Sequence, residues 1–321
     1  MRRLAIATAI LGAMLVACGS GPGNDSGKLQ IVTTVSPLTD IAKNVAGNAA
    51  DVEGIVPEGV DSHTFEPTPG SARQLAGADV IFLNGLHLED PTLELAEANK
   101  RDDAVIYLLG DHTISRDEEI YDFSFPKSGG NPNPHLWMDV AHAITYAELI
   151  RDQLAKADPG HAADYRRNAD SYLATLHTLD DAVQHAVDTV PEQNRALLTY
   201  HDSFAYFARH YGMRVIGAIQ PSDFAEPSAR DVAALIDQIK AEHVPAIFGS
   251  EVFPSPVLEQ IANETGAKFE DSLRDDDLPG ESGEDQHSYI GLMLYDVRTM
   301  VEDLGGDPSA LDSVEFTNRY D

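Results

Sequence analysis

One run of helical periodicity divides this chain. Asp158-Pro159 opens it, Tyr165, Ala169, Tyr172, Leu176, Leu179, Val183 and Val187 follow at spacings of three and four, and Pro191 ends it. At 1.5 Å per residue, about thirty residues make a rod of about 45 Å. Such a rod either lies on the surface of one domain or joins two lobes as a stiff backbone, and its length favours the second. On both sides of it, short β-branched runs alternate with helical stretches. Leu29 to Val35 reads as a first strand, with Ser36-Pro37 capping and opening the helix after it. Val52 to Val56, Ala78 to Asn84 and Ala104 to Leu109 read as further strands. Ala196 to Tyr200, Arg214 to Ala218, Pro245 to Gly249 and Ala267 to Glu270 do the same in the second half. Strands alternating with helices imply βαβ units. The expected fold is therefore α/β, with two lobes of mainly parallel sheet flanked by helices. Residues 29–157 form one lobe, 158–191 the linking helix and 192–321 the other.

The first residues address the chain to a compartment. Arg2 and Arg3 precede an apolar run from Leu4 to Val16, the proportions of a secretory signal. It is too short for a secure membrane span. Leu15-Val16-Ala17-Cys18 then ends on the only cysteine, which has no intrachain disulfide partner. A cysteine placed there resembles a bacterial lipobox, which makes Cys18 the expected lipidated N-terminus after removal of residues 1–17. Residues 18–28 read as a flexible tether.

The charge excludes some partners. With 53 Asp plus Glu against 22 Lys plus Arg, the net charge is −31. Nucleic acid and anionic headgroups would be repelled, whereas cations would be drawn in. Because the acids are scattered along the chain, a generally acidic surface suited to solubility or saline surroundings explains them better than a focused functional field.

Three histidines stand in unusual local chemistry: His63 in DSHTFEPTP, His135 in NPNPHLWMD and His201 in TYHDSFAYF. Asp271, in FEDSLRDD, continues the series. They lie 72, 66 and 70 residues apart, so only the whole fold can bring them together. Loops at the carboxyl ends of strands are where open α/β sheets place ligand groups, and His63, His201 and Asp271 each follow an expected strand. The extended Pro-rich segment before His135 belongs to an irregular stretch, Asp111 to Pro134, expected as a surface loop, while Trp137 and Met138 would shield the site. Imidazoles with one carboxylate suit a transition ion such as zinc, bound in the cleft between lobes. His87, in NGLHLED, also follows an expected strand and competes for that role.

GVDSHTFEPTP, NGLHLE, NPHLWMD, the Tyr165-Asn168-Tyr172-Leu176-Leu179 helix, TYHDSFAYFARHYG and FEDSL together resemble the zinc/manganese-binding lipoproteins of bacterial ABC transporters, the cluster 9 substrate-binding proteins. The resemblance runs in order from about Leu29 to Leu304. It implies two α/β lobes, one long linking helix and one metal ion held by His63, His135, His201 and Asp271. It assigns His87 to a structural motif. Manganese members of that family tend to carry Glu at the third ligand position, and His201 stands there; three imidazoles with one carboxylate favour Zn(II) over Mn(II). Zinc members often carry a long His-rich loop before the second ligand, whereas residues 111–134 hold only His112, and some members with this ligand set bind both metals.

The implied function is an extracytoplasmic receptor, not an enzyme. It would be a monomer, lipid-anchored to the cell membrane through Cys18, that captures metal and delivers it to an ABC permease with its cytoplasmic ATPase. A closed four-ligand site has no open position for a reacting water. The rival readings are a manganese or dual receptor, a zinc-dependent hydrolase with Asp271 as base, and an adhesive lipoprotein with structural histidines. The sequence has neither HExxH nor GxSxG. Because imidazole must be neutral to bind, affinity should fall below about pH 6.5.

Overall fold

The computed structural model describes residues 27–220, 227–250 and 256–320. Cys18 and its leader lie outside the described residues. The first lobe is built from β1 (Leu29–Thr33), α1 (Ser36–Ala46), β2 (Ala50–Gly54), α2 (Pro69–Gly77), β3 (Val80–Leu83), α3 (Asp90–Asn99), β4 (Val105–Leu108), α4 (Leu109–Thr113) and α5 (Val140–Ala157). After α6 (Ala162–Thr189), the second contains β5 (Ala196–Thr199), α7 (Ala205–Tyr211), β6 (Arg214–Ala218), α8 (Ala229–Glu242), β7 (Ala246–Ser250), α9 (Pro256–Thr265), β8 (Lys268–Leu273) and α10 (Tyr289–Asp303).

Both sheets are wholly parallel. Their orders are β2-β1-β3-β4 and β6-β5-β7-β8, so the two lobes repeat one topology. In each, the chain starts at an inner strand, steps outward on one side and then crosses to the other. The carboxyl ends next to that reversal are the usual place for ligand groups in open α/β sheets.

The 28-residue α6 buries the whole predicted stripe, Tyr165, Ala169, Tyr172, Leu176, Leu179, Val183 and Val187. It packs on α1 and α5 of the first lobe and on α10 of the second. It starts after Asp158-Pro159 because Asp158 ends α5; its carboxylate accepts hydrogen bonds from Tyr165 Oη (3.0 Å) and His161 Nδ1 (2.6 Å). One apolar core runs through the molecule: Ile31 and Phe82 of the first sheet, Tyr146, Leu176 and Met293 of the helices, and Leu197 and Phe248 of the second sheet belong to it. Burial of this kind stabilises by ~25 cal/mol per Å² of apolar surface, and separating the lobes would forfeit it.

Two local expectations change. Ser36 is the first helical residue of α1 and does not cap it; Val35 is the N-cap, and its carbonyl accepts from Thr39 N (3.0 Å) and Oγ1 (3.0 Å), with Pro37 in the first turn. The stretch from Asp111 to Pro134 is only partly a surface loop. Ser124, Phe125 and Asn133 are buried, because Ser124 Oγ donates to Gln220 O (2.7 Å) and Ile120 N to Tyr206 Oη (3.2 Å), drawing the segment across to the second lobe.

Candidate metal centre

His63 sits in the β2–α2 connection, where its amide donates to Asp61 Oδ1 (2.9 Å). His135 lies between α4 and α5, just before a single 3₁₀ turn, Leu136–Met138. His201 follows the carboxyl end of β5. Their Nε2 atoms converge at 3.0 Å (His63 to His135), 3.1 Å (His63 to His201) and 2.9 Å (His135 to His201). Among the described residues these three form a group able to hold a metal ion.

Two tautomers follow from the outer partners. Asn133 Nδ2 donates to Asp202 O (2.7 Å), so its Oδ1 faces His135 Nδ1 at 2.8 Å and accepts from it. Gln220 Oε1 accepts from His201 Nδ1 at 2.7 Å. Each imidazole therefore carries its proton on Nδ1 and aims the Nε2 lone pair at the common point, the arrangement of a metal ligand oriented from behind. Burial, reinforced by the neighbouring imidazoles, holds His63 and His135 well below the usual imidazole range. Burial also lowers His201, opposed by the Gln220 hydrogen bond and the Asp276 charge. Protonated imidazoles this close would repel; neutral ones converge for a cation.

Apolar rings enclose the trio. The Phe125 ring lies 5.6 Å from the rings of both His63 and His135, and Trp137 lies 5.1 Å from His135. Trp137 is fully buried, as its place after His135 led us to expect, and its Nε1 donates to Asp275 O (2.8 Å).

Asp271 stands apart from this convergence. It is exposed on β8, beside Gly249. The expected last strand ended at Glu270, which would put Asp271 just past its carboxyl end. The observed strand continues to Leu273, so the loop beyond it begins at Arg274. The acids of that loop, Asp275 and Asp276, are buried. Asp275 Oδ2 is 3.9 Å from His201 Nε2. Asp276 accepts from Ser62 N (2.8 Å) and Ser62 Oγ (3.0 Å). Burial raises the pKa of both carboxyl groups, and Asp275 raises that of Asp276 further, so ionising them calls for a cation nearby. His87 is also outside the trio, exposed, with Nδ1 3.1 Å from Asp90 Oδ2. Of the other acids near the histidines in sequence, Asp202 holds Asn133 through its carbonyl, Asp139 caps α5, and Glu66 is exposed.

Sequence reasoning missed Phe125, Gln220 and the acids at 275 and 276. Asn133 was within reach of it, two residues before His135 in a Pro-flanked segment.

Residues 31–303 match the family model described as "Zinc-uptake complex component A periplasmic". The chain is 30% identical over 286 residues to the iron-binding protein YfeA of Yersinia pestis, covering 89% of each chain. It is 29% identical over 309 residues to the manganese-binding lipoprotein MntA of Halalkalibacterium halodurans, covering 95% of this chain and 99% of that one. The solved periplasmic zinc-binding protein TroA of Treponema pallidum superposes with a TM-score of 0.78 at 29% identity, over 87% of this chain and 99% of TroA.

Proposed function

Because the chain belongs to the family of the periplasmic zinc-uptake component A, the solute-binding proteins of metal ABC importers and not enzymes, we propose that it captures Zn(II) and hands it to a membrane permease driven by a cytoplasmic ATPase. The convergence of three imidazoles within 3.1 Å, two of them oriented from behind, carries this reading. His63, His135 and His201 are three ligands. The fourth is Asp275, whose carboxylate lies 3.9 Å from His201 Nε2, in place of the exposed Asp271. Three nitrogens and one oxygen satisfy tetrahedral zinc, while manganese prefers more oxygen. The relatives named for manganese and iron support a second reading, a receptor that accepts more than one divalent ion.

Capture and release proceed by small movements. The ligands come from both lobes, but α6 and the shared core hold those lobes together, so loops move more than lobes. The receptor works as a monomer at the outer face of the membrane, anchored through lipid on Cys18; Cys18→Ala would then free it from the membrane fraction.

The test is competitive titration of the metal-stripped protein with Zn(II) and Mn(II), repeated on His201→Glu. Tight zinc binding at one equivalent with weaker manganese, shifting toward manganese in the variant, supports the zinc reading. Equal binding of both ions supports the broader receptor. Binding of neither overturns transport.

A further inference from the structure

The metal centre has an approach, and one histidine marks it. A cavity of about 300 Å³ extends from His63 to His87, walled between them by Phe125, Pro126 and Pro132. Among the described residues lining it, His63 and His87 are the only imidazoles and none is a carboxylate. A second cavity, of about 330 Å³, is lined by Asp111 and Glu119 with Arg116 beside them, and shares Leu86, His87 and Pro132 with the first. His87 therefore stands, with Leu86 and Pro132, on the wall common to an acid-bearing space and a space that ends on a ligand of the trio.

The backbone is held out of its ordinary range to put it there. Gly85, Leu86 and His87 take φ values of 83°, 51° and 65°, three successive residues in the left-handed region of which only the first is glycine. Each non-glycine residue there costs about 1 kcal/mol, a cost that persists only where surrounding contacts impose it. Those contacts are present: Asn84 N (2.7 Å) and Gly85 N (3.1 Å) donate to the buried Glu89 carboxylate, and Leu86 N donates to Asp111 Oδ2 (3.1 Å). The turn buries Leu86 and Leu88 on either side and leaves the His87 side chain 54% exposed between them. Asp90 Oδ2, 3.1 Å from His87 Nδ1, accepts its proton and leaves Nε2 to meet an ion.

We propose that His87 is a transit ligand: it takes a hydrated divalent cation from the acid-bearing cavity and passes it to His63, and it serves the reverse step on release. This rests on the metal-receptor reading above and adds a second binding position to it. A transit ligand speeds both directions without changing the final complex. Rates and equilibrium therefore separate it from a structural residue and from a ligand of the final site.

Trp137, the only tryptophan, lies 5.1 Å from the His135 ring and reports metal arrival by its fluorescence. The experiment is stopped-flow mixing of the metal-stripped protein with Zn(II), and of the zinc-loaded protein with excess chelator. It compares the unaltered chain with His87→Asn, which keeps a residue tolerant of positive φ, and with Asp90→Asn, which leaves the turn untouched. We expect His87→Asn to slow both association and release by about tenfold with equilibrium affinity unchanged, and Asp90→Asn to slow both less. Unchanged rates in His87→Asn overturn the proposal. So does a loss of affinity carried by faster release alone, which would place His87 in the final site. If the unaltered protein binds no zinc, both this proposal and the receptor reading fail; if it binds zinc at rates indifferent to His87, only this one does.

Discussion

Ser62 and Asp276 are joined twice across the boundary between the lobes, by the Ser62 amide at 2.8 Å and its hydroxyl at 3.0 Å. Three residues away, Gly59 N donates to Asp277 Oδ2 at 2.6 Å. The loop that carries His63 is thus docked on the acidic segment that follows β8. The same contacts that place one ligand also restrain the segment holding Asp275.

Ser62→Ala removes the hydroxyl and leaves one oxygen of a buried carboxylate without its donor. Outer contacts of this kind are worth about tenfold or more in metal affinity. We expect faster zinc release in a chelator chase, with secondary structure unchanged by circular dichroism. An unaltered release rate would mean that the docking contact does not restrain the loop.

Gln220 acts on His201 through a single 2.7 Å hydrogen bond. Gln220→Ala frees the imidazole to rotate and to change tautomer, so zinc affinity should fall by about ten- to a hundredfold. Gln220→Glu keeps an acceptor and adds negative charge behind the ring, and should restore most of that loss. Titration against a competing chelator distinguishes the pair. Equal losses in both variants would show that an acceptor kept behind the His201 ring does not support zinc binding.

Several features were legible because their cause is local. The apolar stripe of α6 is written at three- and four-residue spacing from Tyr165 to Val187, and burying it requires no other information. The three histidines stand out because each sits in a loop or Pro-flanked segment where a strand or helix gives way. Gln220 had no such mark: it reaches His201 only because β6 pairs with β5, nineteen residues on. Phe125 reads like any loop aromatic until Ser124 is anchored to Gln220. The end of β8 was hidden for a third reason. Asp271 looks like the first residue past the strand, but β7 offers a ladder with an irregular register between Phe248 and Ser250, and Leu273 pairs with Ser250 beyond it. Backbone pairing overrode side-chain polarity there, displacing the carboxyl end of the strand past Asp271.

That displacement yields a direct comparison. Asp275→Asn should weaken zinc binding by at least about a hundredfold if its carboxylate completes the site, whereas Asp271→Asn, altering an exposed side chain, should leave affinity and stability nearly unchanged. The two are measured by the same chelator competition. A large loss for Asp271→Asn with none for Asp275→Asn would mean that the loop after β8 is rearranged when metal binds.

Asp40 links three parts of the chain remote from the metal. Its carboxylate accepts from Tyr289 N at the start of α10 (2.8 Å), from Asn44 Nδ2 (3.1 Å) and from the Tyr320 hydroxyl near the C-terminus. Burial raises its pKa from 3.8 to about 6; the Tyr320 and Tyr289 hydrogen bonds and the charge of Lys43 oppose that rise without cancelling it. The folded protein therefore holds this proton more tightly than the unfolded chain. The stability Asp40 contributes is complete below the unfolded value of 3.8 and is lost as pH rises through about 6. At ~1.4 kcal/mol per unit, the loss is about 3 kcal/mol. Asp40→Asn cannot titrate, so the variant should gain on the unaltered protein across that window and hold a constant offset above it. Denaturant unfolding of the metal-stripped proteins from pH 4 to 8 measures the difference, with chelator present to keep metal linkage out. A difference that does not change with pH would show that Asp40 does not titrate in this range in the folded protein.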